Sequence, residues 1–440
     1  VALQPAVQMR GGVRKLVALV ISQPRIHNSL RGLYQAARPE AQVRAGLSID
    51  IPEIFPLNIR RSSSDKPRLN LLVPALSNQH VFGGIATALN FFSRLAGDDR
   101  DVRIILTDET RFKHDNNPDF SSWRILSLSD EDQGGRVVVP AGNRAGETLA
   151  VREHDYFVAT SWWTALLLDK IIRDKKELWR QADVDRFVYI VQDYEPGFYA
   201  WSSRYALAES SYHFAERCIA VFNTSILSEF FIRNGYKFGR SFVFEPVLHS
   251  KLRPYQATFS DVPKERIILC YGRPTVSRNA FEIVALALKE AASRRDLSKW
   301  QLLSVGEAHA SLDLARDVRL KSLGKLSIDE YGKLLQKSYA GISLMISPHP
   351  SYPPLEMAAF GIKAITNNYE NKSLARLSDN IVAPPVLSVR DIADTLCDLI
   401  DKYEPVSSAP QTVSSYMQRF SSLEDPFSAV IGEVRSALLS

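Results

Sequence analysis

The sequence predicts an α/β protein of two domains, each a mainly parallel sheet covered by helices. Three observations carry this. Short apolar runs alternate with helical stretches along most of the 440 residues, which is the pattern of strand–helix–strand units. The alternation pauses near residues 250–262 and restarts at Arg266-Ile-Ile-Leu-Cys-Tyr271-Gly272. The length is enough for two α/β domains of roughly 150–200 residues each.

In chain order, residues 1–68 read as an N-terminal extension ending in the polar linker Ser62-Ser-Ser-Asp-Lys-Pro67. The extension holds eleven Lys or Arg against four acidic residues, net +7, in a chain whose total is +5. It is either a solvated basic arm or a contact for an anionic membrane surface or a partner. The first domain, 69–255, opens with a strand at 69–73. Gly83-Gly84 and a helix at 85–96 follow. Further apolar runs at 102–107, 136–139, 155–159, 187–192, 218–222 and 241–244 complete its sheet. The second domain, 256–412, has strands at 266–272, 301–305, 318–322 and 341–346, helices at 281–292 and 328–339, and a last helix near 389–403. The tail, 413–440, includes an amphipathic helix.

Composition narrows the function classes. The longest early apolar run, 16–21, is too short to span a bilayer, and no signal-type cleavage site follows it. Cys218, Cys270 and Cys397 lie far apart with no C-x-x-C, as expected of buried thiols in a reducing compartment. No basic stripe is paired with stacking aromatics, so nucleic acid is not an expected partner. Three Asp-x-Asp sequences occur, at 99–101, 130–132 and 183–185. None ends a hydrophobic strand as a metal-binding pair would, so no metal is expected.

The chemistry concentrates at loops that follow strands. Ser347-Pro-His-Pro-Ser-Tyr-Pro-Pro-Leu-Glu356 lies between an apolar run and a short helix opening at Pro353, where a missing N–H costs nothing. Such a turn suits an anion, because free N–H groups and the helix dipole both face it. Glu356 in the helix's first turn suits ribose hydroxyls. Arg273 and Arg278 lie between a strand and a helix, placed to stabilise a departing diphosphate without a metal. Gly83 and Gly84 let backbone approach a phosphate or acceptor closely. Trp162, Trp163, Asp193, Tyr194 and Glu195 follow strand ends and suit a carbohydrate's C–H face and hydroxyls, or else are core aromatics and helix caps. His80 and His349 each lie in a candidate loop and are either structural or sugar contacts.

These motifs, in register over residues 266–370, resemble those of the retaining glycosyltransferases of family 4 (GT4), whose signature is E-G-F-G-L-P-x-x-E. Pro353 and Glu356 fall on its proline and second glutamate, and Ser351 and Tyr352 on its second glycine and leucine. Pro348 stands where the family has its first glutamate. Gly272-Arg273 through Arg278 resembles G-R-x-x-x-x-K, with arginine for lysine. Gly306 resembles the glycine turn of the second domain, and Gly324-Lys325-Leu326-Ser327 the loop that reads the base. The resemblance implies a GT-B fold: two Rossmann-like domains across a cleft, with a C-terminal helix crossing back to the first. It implies a nucleotide sugar in the second domain, a glycan acceptor in the first, and metal-free transfer with retention. Gly272, Gly306, Lys325, Leu326, Ser351, Tyr352, Glu356, Gly83 and Gly84 would contact the donor. His80, Trp162, Trp163, Asp193, Tyr194 and Glu195 would contact the acceptor. Arg273 and Arg278, with the N–H groups of Ser351 and Tyr352, would stabilise the leaving group. The opening strand with Gly83-Gly84, the 191–196 stretch and the altered donor motif also resemble bacterial surface-glycan rhamnosyltransferases, including those of S-layer glycans. That implies dTDP-β-L-rhamnose as donor, a growing rhamnan, free or lipid-linked, as acceptor, and a cytoplasmic location at the inner membrane face. A GT-B-shaped sugar-nucleotide epimerase or hydrolase, and a non-catalytic glycan-binding protein, are the alternatives.

Overall fold

The computed structural model describes residues 51–77, 83–97, 100–181, 185–405 and 414–439. Most of the basic extension, with its expected membrane contact, and the loop holding His80 lie outside these residues. So do Asp99 and Asp183 of two Asp-x-Asp sequences.

Seventeen strands form within the described residues. In the first domain they are β1 (Asn58–Arg61), β2 (Arg68–Val73), β3 (Asp101–Leu106), β4 (Arg124–Ile125), β5 (Arg136–Pro140), β6 (Thr148–Val151), β7 (Asp155–Ala159), β8 (Phe187–Val191), β9 (Ala215–Phe222) and β10 (Phe238–Val243). In the second they are β11 (Glu265–Gly272), β12 (Gln301–Gly306), β13 (Leu312–Ala315), β14 (Val318–Gly324), β15 (Ser338–Ile342), β16 (Lys363–Ile365) and β17 (Ile381–Val382). The first sheet runs β10-β9-β8-β7-β2-β3-β5-β4, all parallel. The second runs β13-β14-β12-β11-β15-β16-β17, parallel except for β13. β2 and β8 are buried along their whole length, as strands covered on both faces must be.

The helices are α1 (Gly83–Ala96), α2 (Trp162–Trp179), α3 (Ser203–Ser210), α4 (Ser225–Arg233), α5 (Arg253–Ala257), α6 (Phe281–Arg294), α7 (Ile328–Lys337), α8 (Tyr352–Ala359), α9 (Val389–Asp401), α10 (Ser415–Phe420) and α11 (Ile431–Leu439). The start of α7 follows from a capping box: Ser327 Oγ accepts the Glu330 N–H at 3.2 Å, and Glu330 Oε2 accepts the Ser327 N–H at 2.9 Å. The tail crosses between domains. Met417 and Phe420 of α10 join the second domain's core, whereas Val434 and Leu438 of α11 pack with Phe91 and Phe92 of α1. Residues 53–440 thus form one compact body. This is the GT-B arrangement, and none of the described helices is long and apolar enough to cross a membrane.

Two sequence expectations change. Residues 53–67 belong to the first domain, not to an extension. β1 pairs in parallel with β6, Leu57 is buried in the core, and Arg68 is a buried ion-pair partner rather than part of a solvated arm. The strand expected at 341–346 ends at Ile342. Ser343, Leu344 and Met345 beyond it stay buried while Ile346 is exposed, and a side chain serves the backbone there: Asn367 Oδ1 accepts the Met345 N–H at 2.7 Å, and Asn367 Nδ2 donates back to Met345 O at 3.0 Å. An apolar run alone does not distinguish these two ways of satisfying buried backbone.

At the N-terminal edge of the first sheet lies a buried ion network. Arg68 donates to both oxygens of Asp155, at 2.8 and 2.7 Å, and also pairs with Asp132. Arg152 joins Asp132 at 2.7 Å to Asp101 at 2.6 Å. Burial alone would raise the Asp155 carboxyl, but Arg68 and Arg103 outweigh it and hold the group below the usual range. Asp132 is likewise held at about 2 by Arg152 and Arg68 against burial. Asp101 and Asp132, each from an Asp-x-Asp sequence, are therefore arginine partners.

Candidate active site

Both sheets change direction at their first strands. In the second sheet, β11 is flanked by β12 and β15, so the loops after β11 and β15 diverge and leave a crevice beyond the strands' C-terminal ends. Those two loops carry the motifs singled out from sequence. They are joined: Arg278 O accepts the Ile346 N–H at 2.7 Å, and Asn279 Nδ2 donates to Leu344 O at 3.1 Å.

Glu356 is the fifth residue of α8, hence in its second turn rather than its first. It is half-buried, and burial pushes its carboxyl up to about 7 against the Tyr331 hydroxyl, which donates to Oε2 at 2.9 Å. Tyr271, Leu326, Tyr331 and Tyr352 are half-buried apolar groups gathered on the same core, giving flat apolar surface beside this carboxyl. Lys325 is exposed on the turn before α7. A side chain at Gly306 would be strained: its φ is 118°, and a Cβ would lie 3.1 Å from Gly272 O and 3.2 Å from Arg273 Cγ. Arg273, half-buried, sits beside Tyr271.

Ser351 caps α8 at φ 67°, a conformation that costs a non-glycine residue about 1–3 kcal/mol. Its N–H donates to His349 Nδ1 at 3.0 Å, so it is not the free donor expected from the motif. Pro353 and Pro354 have no N–H, which leaves Tyr352 to present the helix's first N–H to the turn. Because Nδ1 of His349 accepts, its proton sits on Nε2. That atom is buried without a partner, and burial lowers the imidazole to about 4.

The first domain meets this turn through Asp193. Its carboxylate accepts from Ser347 Oγ and lies 3.4 Å from Arg278 Nε, while the Arg278 guanidinium covers the Phe198 ring at 4.2 Å. Arg278 is thus held across the cleft by an anion and an aromatic face. Glu195 is buried, accepts the Trp162 N–H, and is raised by burial to about 8. Gly84 at the start of α1 would, with a Cβ, come 3.2 Å from Gln192 Oε1. Gly83 precedes it at φ 21°.

The structure sorts the remaining expected residues. Trp162 is fully buried, its ring N–H donating to Tyr199 Oη at 3.0 Å, so it is a core residue and not an acceptor contact. Tyr194 also turns inward, to Tyr212, Phe230, Phe231 and Tyr236. Trp163 is half-buried near the end of β3, its N–H shared between Thr107 Oγ1 and Asp108 Oδ1, both at 3.2 Å. Sequence reasoning does not find Phe198, Ser347, Tyr331 or Lys372. The fully buried Lys372 donates to Met345 O, and burial lowers its ammonium to about 7 although Asp193 opposes this. Phe198 shares a loop with Asp193, which is a usable signal; Lys372 has no comparable one.

Buried side-chain atoms without a partner cluster here. Ten occur among the described residues, and all but that of Gln181 lie in loops after β8, β9, β10, β11, β15 and β16. Such atoms are costly in isolation; one of them, Arg278 Nε, still has Asp193 3.4 Å away, and all nine lie at the C-terminal ends of the strands, where the two domains meet.

Residues 68–225 match the family model described as WsaF, N-terminal domain, and residues 266–397 the model described as WsaF, C-terminal domain. The O-antigen biosynthesis protein RfbC of Myxococcus xanthus is 29% identical over 335 residues, covering 72% of this chain and 23% of that protein. The chain therefore spans under a quarter of that relative's length. Among solved structures, sucrose-phosphate synthase of Thermosynechococcus elongatus superposes with a TM-score of 0.56 at 11% identity, covering 85% of this chain and 99% of that one. Anabaena HepE, in complex with UDP and glucose, superposes with a TM-score of 0.53 at 12% identity, covering 85% and 100%.

Proposed function

The chain belongs to the WsaF family, and we propose that it is a metal-independent, retaining glycosyltransferase that builds a bacterial surface glycan. The observation that carries this reading is one placement: Arg273, Arg278 and Glu356 stand around the crevice of the second sheet, faced by Asp193 of the first domain. Glu356 would accept the ribose hydroxyls of a nucleotide whose base lies on the apolar surface near Leu326 and Tyr331. Arg273, Arg278 and the Tyr352 N–H would meet the diphosphate. As the bond from the sugar's anomeric carbon to the diphosphate oxygen breaks, an acceptor hydroxyl oxygen bonds that carbon on the same face. Its proton passes to the leaving phosphate oxygen, so no protein base is required. The two guanidinium groups would supply charge where it develops, Arg278 already held in place by Asp193 and Phe198.

The O-antigen role of RfbC and the UDP of HepE support a nucleotide-sugar donor and a glycan product. We place L-rhamnose from dTDP-β-L-rhamnose as the transferred sugar and a rhamnan as acceptor. Pro348 leaves an apolar turn where the GT4 signature has a carboxylate, and this suits a deoxysugar. A nucleotide-sugar substrate in turn places the reaction in the cytoplasm, at the membrane if the acceptor is lipid-linked.

A panel of nucleotide sugars with rhamnan oligosaccharides in EDTA tests this. Extension of the acceptor by dTDP-rhamnose, with retained configuration and no sugar release without acceptor, is the expected result. Glu195, a buried carboxyl raised to about 8, favours a hydrolase or epimerase as second reading. Acceptor-independent consumption of donor would put that reading first.

A further inference from the structure

One large aromatic side chain is almost wholly in solvent. Trp201 is 93% exposed, and its ring stacks on Tyr205 with centroids 5.9 Å apart and planes 12° from parallel. The helix that carries Tyr205 is anchored at its start. Ser202 Oγ caps α3 by accepting the Tyr205 N–H at 3.3 Å, and Arg204 pairs with Glu53 at 2.8 Å. The same loop carries Phe198 against Arg278. Three residues span at most about 11 Å of backbone, so Trp201 is on the same short loop as the residue that covers the candidate catalytic arginine. Tyr205 is half-buried and lies beside Tyr194, so the stack is anchored on the first domain's aromatic core.

We propose that the Trp201–Tyr205 stack is an acceptor subsite, a platform for the C–H face of a pyranose ring in the glycan chain. It rests on the transferase reading and replaces Trp162 and Tyr194, which the fold has taken into its core. An aromatic face with a polar N–H at its edge offers a sugar both apolar contact and a hydrogen bond. The size of the feature selects this occupant. Two stacked rings flanked by Ser202, Ser203 and Arg204 match one or two sugar units, whereas a stable second copy needs about 800 Å² per partner and a bilayer needs a long apolar helix face.

The test is Trp201→Ala and Trp201→Phe in the full chain, with rhamnan oligosaccharide titrated at saturating donor. Trp201→Ala should raise the acceptor KM about tenfold, which corresponds to 1.4 kcal/mol, with kcat at saturating acceptor and the donor KM changing far less. Trp201→Phe should keep most of the wild-type acceptor KM. Oligosaccharide binding followed by calorimetry, without donor, reads the same contact independently of turnover. Glycan binding lost in Trp201→Ala, in a protein that turns over no donor, keeps the subsite and overturns the transferase reading. Normal transfer with an unchanged acceptor KM in Trp201→Ala overturns the subsite alone. Loss of self-association or of binding to anionic phospholipid vesicles, with acceptor KM unchanged, likewise overturns it.

Discussion

The two edges of the first sheet treat buried polar groups in opposite ways. At the N-terminal edge, Arg68, Arg103 and Arg152 are locked to Asp132, Asp155, Asp101 and Asn70. At the C-terminal edge, Gln192, Asn223 and Glu245 keep buried atoms without partners, and Glu195 is raised rather than lowered by its surroundings. The first edge uses charge as structure: each ion's desolvation is offset by partners at hydrogen-bond distance. The second leaves polar atoms of Gln192, Asn223 and Glu245 without a side-chain or backbone partner. The sign of a carboxyl's shift therefore separates the two tasks within one sheet.

The largest effect should follow from breaking the satisfied edge. Asp155→Ala leaves Arg68 and Arg103 buried without their main anion and should cost about 3–5 kcal/mol of stability, read by urea denaturation. Next is the cleft. Arg278→Ala should lower kcat by about 10²–10³ while costing less stability than Asp155→Ala, since Asp193 keeps its bond from Ser347 Oγ; steady-state kinetics beside a melting curve checks both. A smaller effect is the pH dependence of stability. Asp132, lowered to about 2, contributes stability that is complete above its unfolded value near 4 and is lost as pH falls toward 2. Glu356 and Glu195, raised to about 7 and 8, act with the opposite sign. Their neutral forms suit the fold, so their contribution is present at low pH and lost as pH rises through 7 and 8. Urea midpoints measured from pH 2 to 9 should fall at both ends, and Asp132→Asn should flatten only the acid side.

The same contrast explains how much was legible in the sequence. The strands of both sheets read correctly wherever an apolar run was also a ladder, as at β2, β7 and β11. The position of Arg273, Arg278, Glu356 and Asp193 at the cleft was legible because they follow such strands, and loops after parallel strands are where a cleft must form; that Asp193, expected to meet an acceptor, pairs with Arg278 was not. What was not legible depended on the other domain or on distant sequence. Trp162 and Tyr194 have the composition of a sugar platform, yet the 3.6-residue periodicity of α2 and the aromatic cluster around Tyr212 draw them inward. Lys372 reaches Met345 from a loop after β16, and no local pattern announces it. Arg68 looked like part of a basic arm because its anions, Asp132 and Asp155, are 64 and 87 residues away.

The most direct test of the cleft as a nucleotide site is calorimetric titration with dTDP, UDP, GDP and ADP in EDTA, on wild type and Glu356→Ala. One nucleotide, expected to be dTDP, should bind the wild type tightly. Its affinity should fall about 10–100-fold in the variant, the loss of hydrogen bonds to a charged group at 1.5–3 kcal/mol, with the variant as stable as wild type. Binding of none of the four, or equal affinity in a folded Glu356→Ala protein, would contradict the donor site and leave the cleft's unpaired groups to another ligand.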